Sequence, residues 1–99
     1  ERLLPGNGIY VCRAHLAQGS FEAVTNVGTR PTFDHSDTTV EAFLLDFDAD
    51  IYGEPLRLDF LTRLRSELRF ASAEALVLQM HEDVAQARRW LAAQAQREP

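Results

Sequence analysis

Pro55-Leu-Arg-Leu-Asp-Phe-Leu-Thr62 alternates along its length, with Leu56, Leu58 and Phe60 on one side and Arg57, Asp59 and Leu61 on the other. A period of two belongs to a strand with one buried face, the pattern of an antiparallel sheet. Working outward, Thr38-Thr-Val-Glu-Ala-Phe-Leu-Leu-Asp-Phe47 reads the same way. Thr39, Glu41, Phe43, Leu45 and Phe47 then share a face, and Glu41 is the only ionisable group on it. Between the two runs, Ala49-Asp-Ile-Tyr-Gly-Glu54 reads as a turn, with Gly53 expected at positive φ.

Upstream, Leu3-Leu-Pro-Gly-Asn-Gly8 is a turn-rich entry to a strand over residues 8–16. Ala17-Gln-Gly-Ser20 is short enough for a hairpin, with Phe21-Glu-Ala-Val-Thr-Asn-Val27 as the partner strand. Pro31 cannot donate to a ladder, so residues 28–33 are expected to break that strand. Residues 34–37 read as polar loop and residues 63–70 as a charged connector. Ser72 is a good N-cap, with Glu74 in the first turn, and a helix is expected over 71–95. Leu76, Met80, Val84, Ala87 and Leu91 recur at helical spacing and form its expected apolar stripe. Strands followed by one long helix give a mainly β chain with a C-terminal helix.

Composition narrows the function. At 99 residues the chain is one domain or part of one. A net charge of −5 argues against a nucleic-acid surface. No apolar run reaches the length of a membrane span, and no leader pattern opens the chain, so a cytoplasmic location is expected. All ten basic residues are Arg, which excludes a lysine Schiff base and a P-loop lysine. Cys12 stands alone and shares a face with Tyr10, Ala14 and Leu16, as a buried structural thiol would.

Few residue patterns carry chemistry. Asp46, Asp48 and Asp50 form a D-x-D-x-D run, but an EF-hand loop started at Asp46 would need Gly and Glu where Ile51 and Arg57 stand. His15, His35 and His81 lack ligand spacing, so no metal ligands are assigned. The candidates left are Glu41, residues 26–33 and the cluster Arg63, Arg65, Glu67 and Arg69. A carboxylate headed by three apolar neighbours suits general-base work. The competing reading puts Glu41 at the sheet rim, in water.

Six segments, taken in order, carry a resemblance. They are Leu4-Pro-Gly-Asn-Gly-Ile-Tyr10, Thr25-Asn-Val-Gly-Thr-Arg-Pro-Thr-Phe33, Val40-Glu-Ala-Phe-Leu-Leu-Asp-Phe47, Asp50-Ile-Tyr-Gly53, Leu64-Arg-Ser-Glu-Leu-Arg-Phe70 and Asp83-Val-Ala-Gln-Ala-Arg88. Together they resemble the riboflavin kinase domain of bacterial bifunctional riboflavin kinase/FAD synthetases. The resemblance implies an antiparallel Greek-key β-barrel, its strands and loops in residues 1–70, closed by the C-terminal helix. It implies transfer of the ATP γ-phosphate to the riboflavin 5′-hydroxyl, giving FMN, with Mg2+ as counter-ion. Glu41 falls where such kinases place the base. Asn26, Gly28, Thr29 and Arg30 match a loop bordering both substrates. Arg65 and Glu67 match the segment that closes over the flavin, beside Leu58, Leu61 and Phe70.

The match has gaps. Relatives carry a first strand, a glycine-containing loop and a Pro-Thr-Ala-Asn motif upstream of the Leu-Pro-x-Asn-Gly segment, and none of these precedes Glu1. Phe43 stands where many relatives have His. The expectation is a partial domain spanning residues 1–99, inactive alone, with magnesium and ATP ligands mostly in the missing segment. A strand edge left open by that segment could join two copies. The rival reading is a flavin-binding module without chemistry.

Overall fold

The computed structural model describes residues 5–31, 36–49 and 53–97. Four strands and one helix follow one another: β1 (Gly8–Leu16), β2 (Gly19–Pro31), β3 (Ser36–Leu44), β4 (Arg57–Arg65) and α1 (Ala73–Arg97). The strands form one antiparallel sheet in the order β3-β2-β1-β4. Three consecutive strands with the fourth returning beside the first is the Greek-key order. Among the described residues the sheet stays open, with β3 and β4 at its edges, so the expected barrel is not closed. The sheet belongs to one compact unit, residues 1–67, and α1 to a second, residues 68–99.

β1 is one of the two inner strands, and its sequence shows why. Ile9, Tyr10, Val11 and Cys12 are all buried, so both faces of the strand are covered. On one face Tyr10, Cys12 and Ala14 pack with Ala23 and Val27, and Leu44, Leu58 and Phe60 lie against them. Tyr10 and Phe60 meet edge to face at 5.3 Å. Cys12 is buried in this cluster as expected. Burial pushes its thiol above the ordinary 9.0, the Asp59 charge adds to that, and the Thr25 hydroxyl beside it pulls the other way. Ile9 and Val11 point to the opposite face.

The strands run further than the sequence predicts. β2 continues through Gly28, Thr29 and Arg30 to Pro31. Pro31 occupies the last rung, opposite Ser36, where a missing donor ends the ladder without interrupting it. β4 absorbs Arg63, Leu64 and Arg65 from the expected connector. It does so with two irregularities: opposite β1, the register skips Leu64 between Arg65 and Arg63, and Leu61 between Thr62 and Phe60. These are β-bulges, each an extra residue that local alternation cannot reveal. β3 stops at Leu44, short of the expected Phe47. Asp46 there takes φ 55° and turns the chain. Gly53 has φ 82°, as its turn requires.

In the second unit, Ser72 caps α1 as predicted: the Ala75 amide donates to its Oγ at 3.1 Å. Such a cap contributes about 1 kcal/mol. The buried stripe is only partly the one expected: Ala87 is buried and Val84 and Leu91 are half-buried, but the first two turns differ. Leu76 and Met80 are exposed, while Asp83 and Ala87 are buried. The Gln79 amide donates to Asp83 Oδ1 at 3.0 Å, which supplies the partner a buried carboxylate needs. Spacing located the helix, but a stripe judged by hydrophobicity misses a buried carboxylate with a half-buried partner. His81 is exposed, as predicted.

Candidate functional site

Directly opposite residues in an antiparallel pair point to the same face. The register sets Glu41 against Asn26 and Thr39 against Gly28. Through β1 it places Ile9 and Val11 on that face, and through β4 it adds Thr62 and Arg65. The buried Ile9 and Val11 side chains make an apolar floor. The rungs of Gly28 and Asn26 lie two residues apart, roughly 7 Å along the strand.

Gly28 is where the chain needs glycine for space. It is buried, and a Cβ there would overlap the Glu67 carboxylate. The end of β4 therefore brings Glu67 down onto β2, and two segments far apart in sequence meet on one face. Thr39 Oγ1 donates a long bond, 3.4 Å, to the Gly28 carbonyl. Asn26 Oδ1 is buried and has no hydrogen-bond partner. An unsatisfied buried acceptor costs about 1–3 kcal/mol. Such a group marks a place where a donor is missing. Thr25 Oγ1, on the reverse face, lacks a partner of ordinary geometry too, but it abuts the Cys12 thiol within the core.

Glu41 itself is exposed, so the apolar surround expected for it is absent. Phe43 shares its face but is 54% exposed. Leu45 lies past the strand end, its amide donating to the Glu22 carbonyl at 2.8 Å. The turn at Asp46 then swings Phe47 away to meet Phe21 at 4.7 Å between ring centres. Phe21 belongs to the core-side row of β2, opposite Ala14. Strict alternation through residue 47 failed because the strand ends three residues earlier. Glu41 sits on an edge strand, open to solvent.

The remaining predicted residues divide. Arg65 closes β4 on the Glu41 face, and its Nη1 donates to the Ser66 carbonyl at 2.8 Å. Leu58 packs into the core cluster on the reverse face. Leu61 is the bulged, exposed residue of β4. The two leucines are therefore not brought together as one wall. Phe70 is half-buried and belongs to the second unit. Thr29 is exposed, and its hydroxyl donates to Asn7 Oδ1 at 3.1 Å. Arg30 pairs through its backbone with Asp37. Asn7 is the residue that sequence reasoning did not single out. An Asn-Gly pair before a strand reads as a turn, and nothing local says that its side chain reaches β2.

The described residues contain no group of three or more His, Cys, Asp or Glu able to hold a metal ion. Magnesium asks for near-octahedral oxygen ligation. The donor set on these residues does not fit it.

The flavokinase family, described as riboflavin kinase, matches residues 1–91. A bifunctional riboflavin kinase/FMN adenylyltransferase of Pseudomonas fluorescens is 39% identical over 98 residues, which is 98% of this chain and 32% of that protein. A bifunctional riboflavin kinase/FMN phosphatase of Arabidopsis thaliana is 42% identical over 79 residues, 78% of this chain and 21% of that protein. The chain thus spans a third or less of the length of these relatives. Among solved structures, one titled a macrolide-efflux protein from Streptococcus pneumoniae superposes with a TM-score of 0.84 at 33% identity, covering 89% of this chain and 29% of that one.

Proposed function

The chain belongs to the riboflavin kinase family, and from that premise we propose that the Glu41 face is the flavin side of a phosphoryl-transfer site. In the whole protein the reaction moves the γ-phosphate of ATP to the 5′-hydroxyl of riboflavin, giving FMN. The observation that carries this is the meeting of Glu41, Asn26, Gly28 and Glu67 on one face over an apolar floor. Phosphoryl transfer rests mainly on positioning and charge stabilisation, with one group aimed at the attacking oxygen.

In this reading Glu41 accepts the proton of the ribityl hydroxyl. Its exposure leaves room for the hydroxyl to approach. Asn26 offers the acceptor that its surroundings leave unsatisfied, fitting a hydroxyl or ring N–H of the ligand. Gly28, Thr29 and Arg30 border the two substrates. Arg65 and Glu67 frame the flavin, with Leu61 offered as apolar surface and Leu58 supporting from the core. ATP is the donor and Mg2+ its counter-ion. The described residues do not supply that ion's ligands, so no step is assigned through it.

The protein is proposed to work in the cytoplasm; no described helix is long and apolar enough to cross a membrane. Val40 and Phe43 on edge strand β3 are exposed, which supports pairing of two copies across that edge. Sedimentation at rising concentration tests this, and a single monomer mass throughout would reject it. Macrolide efflux belongs to the streptococcal structure's title, and no observation on this chain favours it. A flavin-binding module without chemistry is the rival.

Riboflavin phosphorylation by the whole protein, wild type against Glu41→Gln, separates the readings. Turnover should fall by on the order of 10²–10⁴ with flavin binding retained. Unchanged turnover would remove Glu41 from the chemistry. An inactive wild type that still binds riboflavin would favour the module.

A further inference from the structure

The turn before β1 ties together the two segments that frame the site. Asn7 Oδ1 accepts from Thr29 Oγ1 at 3.1 Å, and the Asn7 carbonyl accepts from Arg63 Nη2 at 3.1 Å. The same Arg63 nitrogen donates to Ser66 Oγ at 3.2 Å. The Tyr10 hydroxyl donates to the Gly6 carbonyl at 2.6 Å, which pins the turn to the core. Gly8 has no room for a side chain: a Cβ would lie 2.7 Å from Arg63 Nε and 3.0 Å from the Arg65 carbonyl. Its φ of 155° adds a backbone reason for glycine.

The placement of these groups matters more than their number. Arg63 pairs with Tyr10, and Thr29 lies in the same β2 row as Thr25 and Val27. Both therefore stand on the face opposite Glu41, Asn26 and Gly28. Asn7 spans β2 and β4, the two strands that flank β1, across the start of β1. On the site face, the same two strand ends carry Gly28 and Glu67.

We infer that Asn7 and Arg63 are positioning residues. They act as a buckle behind the sheet that fixes the spacing of residues 26–29 and 65–67, and so seats the Glu67 carboxylate over Gly28. The inference rests on the flavin reading of the site. Neither residue lies on the site face, so their effect passes through Gly28 and Glu67. Each bond alone is worth little. Convergence on one turn makes their loss cooperative.

The test uses the whole protein and two readouts. Asn7→Ala and Arg63→Met should each raise the riboflavin KM about tenfold, the equivalent of one or two hydrogen bonds, with kcat within about twofold. Asn7→Asp keeps an acceptor for Thr29 and should restore most of the affinity. The double variant should lose less than the product of the two singles. His15→Ala, at the other end of the sheet, should leave KM unchanged.

Amide hydrogen exchange gives the second readout, independent of activity. In Asn7→Ala, exchange at Gly28, Thr29, Ser66 and Glu67 should quicken together, while residues 14–21 stay protected. Quickening in only one segment, or in neither, overturns the buckle whatever the kinetics show. An active wild type whose Asn7→Ala variant keeps its KM, or loses kcat alone, also overturns it. An inactive wild type would strike the flavin reading, and the exchange pattern would still decide whether the two segments are coupled.

Discussion

The two ends of the sheet are built differently. At the hairpin end, β1 and β2 pair without a break from Gly8↔Val27 to Leu16↔Gly19, and a two-residue turn joins them. His15 bonds Ser20 Oγ through Nδ1 at 2.9 Å and Asp59 Oδ2 through Nε2 at 2.8 Å, linking the hairpin to β4. Arg57 adds a looser contact to Asp59 at 3.6 Å. The neutral ring fits both partners when Nε2 carries the proton, donating to Asp59 and accepting from Ser20. At the other end β4 bulges twice, two glycines stand against side chains that leave no room for a Cβ, and a buried acceptor goes unsatisfied. Regular pairing and satisfied polar groups mark the end that holds the fold. Irregular register and crowded glycines mark the end where the proposed site lies.

The sharpest way to break this contrast is Glu41→Gln, with its expected loss of turnover on the order of 10²–10⁴ and little change in stability. A comparable loss from His15→Ala would erase the distinction between the ends. Next comes Gly28→Ala. Its new methyl meets the far end of a flexible side chain, so the fold should survive while Glu67 is displaced. Riboflavin affinity should drop about tenfold or more, with Tm changed by only a few degrees. Glu67→Ala added to Gly28→Ala should bring no further loss, because the carboxylate is already out of place. Affinity measured by flavin fluorescence quenching checks both variants.

A smaller effect concerns the core between the two ends. The Cys12 thiol is held above 9.0 in the folded protein. The unfolded chain therefore gives up this proton first as pH rises. The contribution to stability is complete below about pH 9 and declines above it. Urea melts between pH 8 and pH 10 should show that slope, and Cys12→Ala should flatten it. A thiol reagent should reach Cys12 only on unfolding. The smallest effect is His15→Ala, which should cost about 0.5–1.5 kcal/mol in urea melts, with no change in flavin affinity. A cost near zero would mean that the hairpin end holds without its cross-link.

The hairpin, the strand character of β3 and β4, the Ser72 cap and the Gly53 turn were legible in the sequence, because each is set by neighbours a few residues away. The Greek-key order came through the ordered resemblance of six segments. What stayed hidden depends on partners distant in the chain. The extension of β2 through Pro31 needs Ser36 across the ladder. The bulges at Leu61 and Leu64 exist only relative to β1. The core position of Leu58 matched its alternation, but alternation could not say which face held the site. Glu41 was singled out for an apolar surround that the structure does not bear out. The register opposite Asn26 is what gives it company. Asn7 escaped notice because its partners lie 22 and 56 positions away.

The bulges have a consequence for how β4 can change length. From Phe60 to Arg65 the strand uses six residues where β1 uses four, from Cys12 to Ile9. The surplus of two, six less four, is slack. A deletion of one residue within this stretch can be absorbed by straightening a bulge, leaving Phe60 against Cys12 and Arg65 against Ile9. The pairing of β1 with β2 has no such reserve, and losing one residue there would turn every later side chain to the wrong face. Insertions and deletions should therefore be tolerated unequally in two neighbouring strands of one sheet, with the tolerant strand being the one that ends at Arg65 and leads to Glu67 of the proposed site.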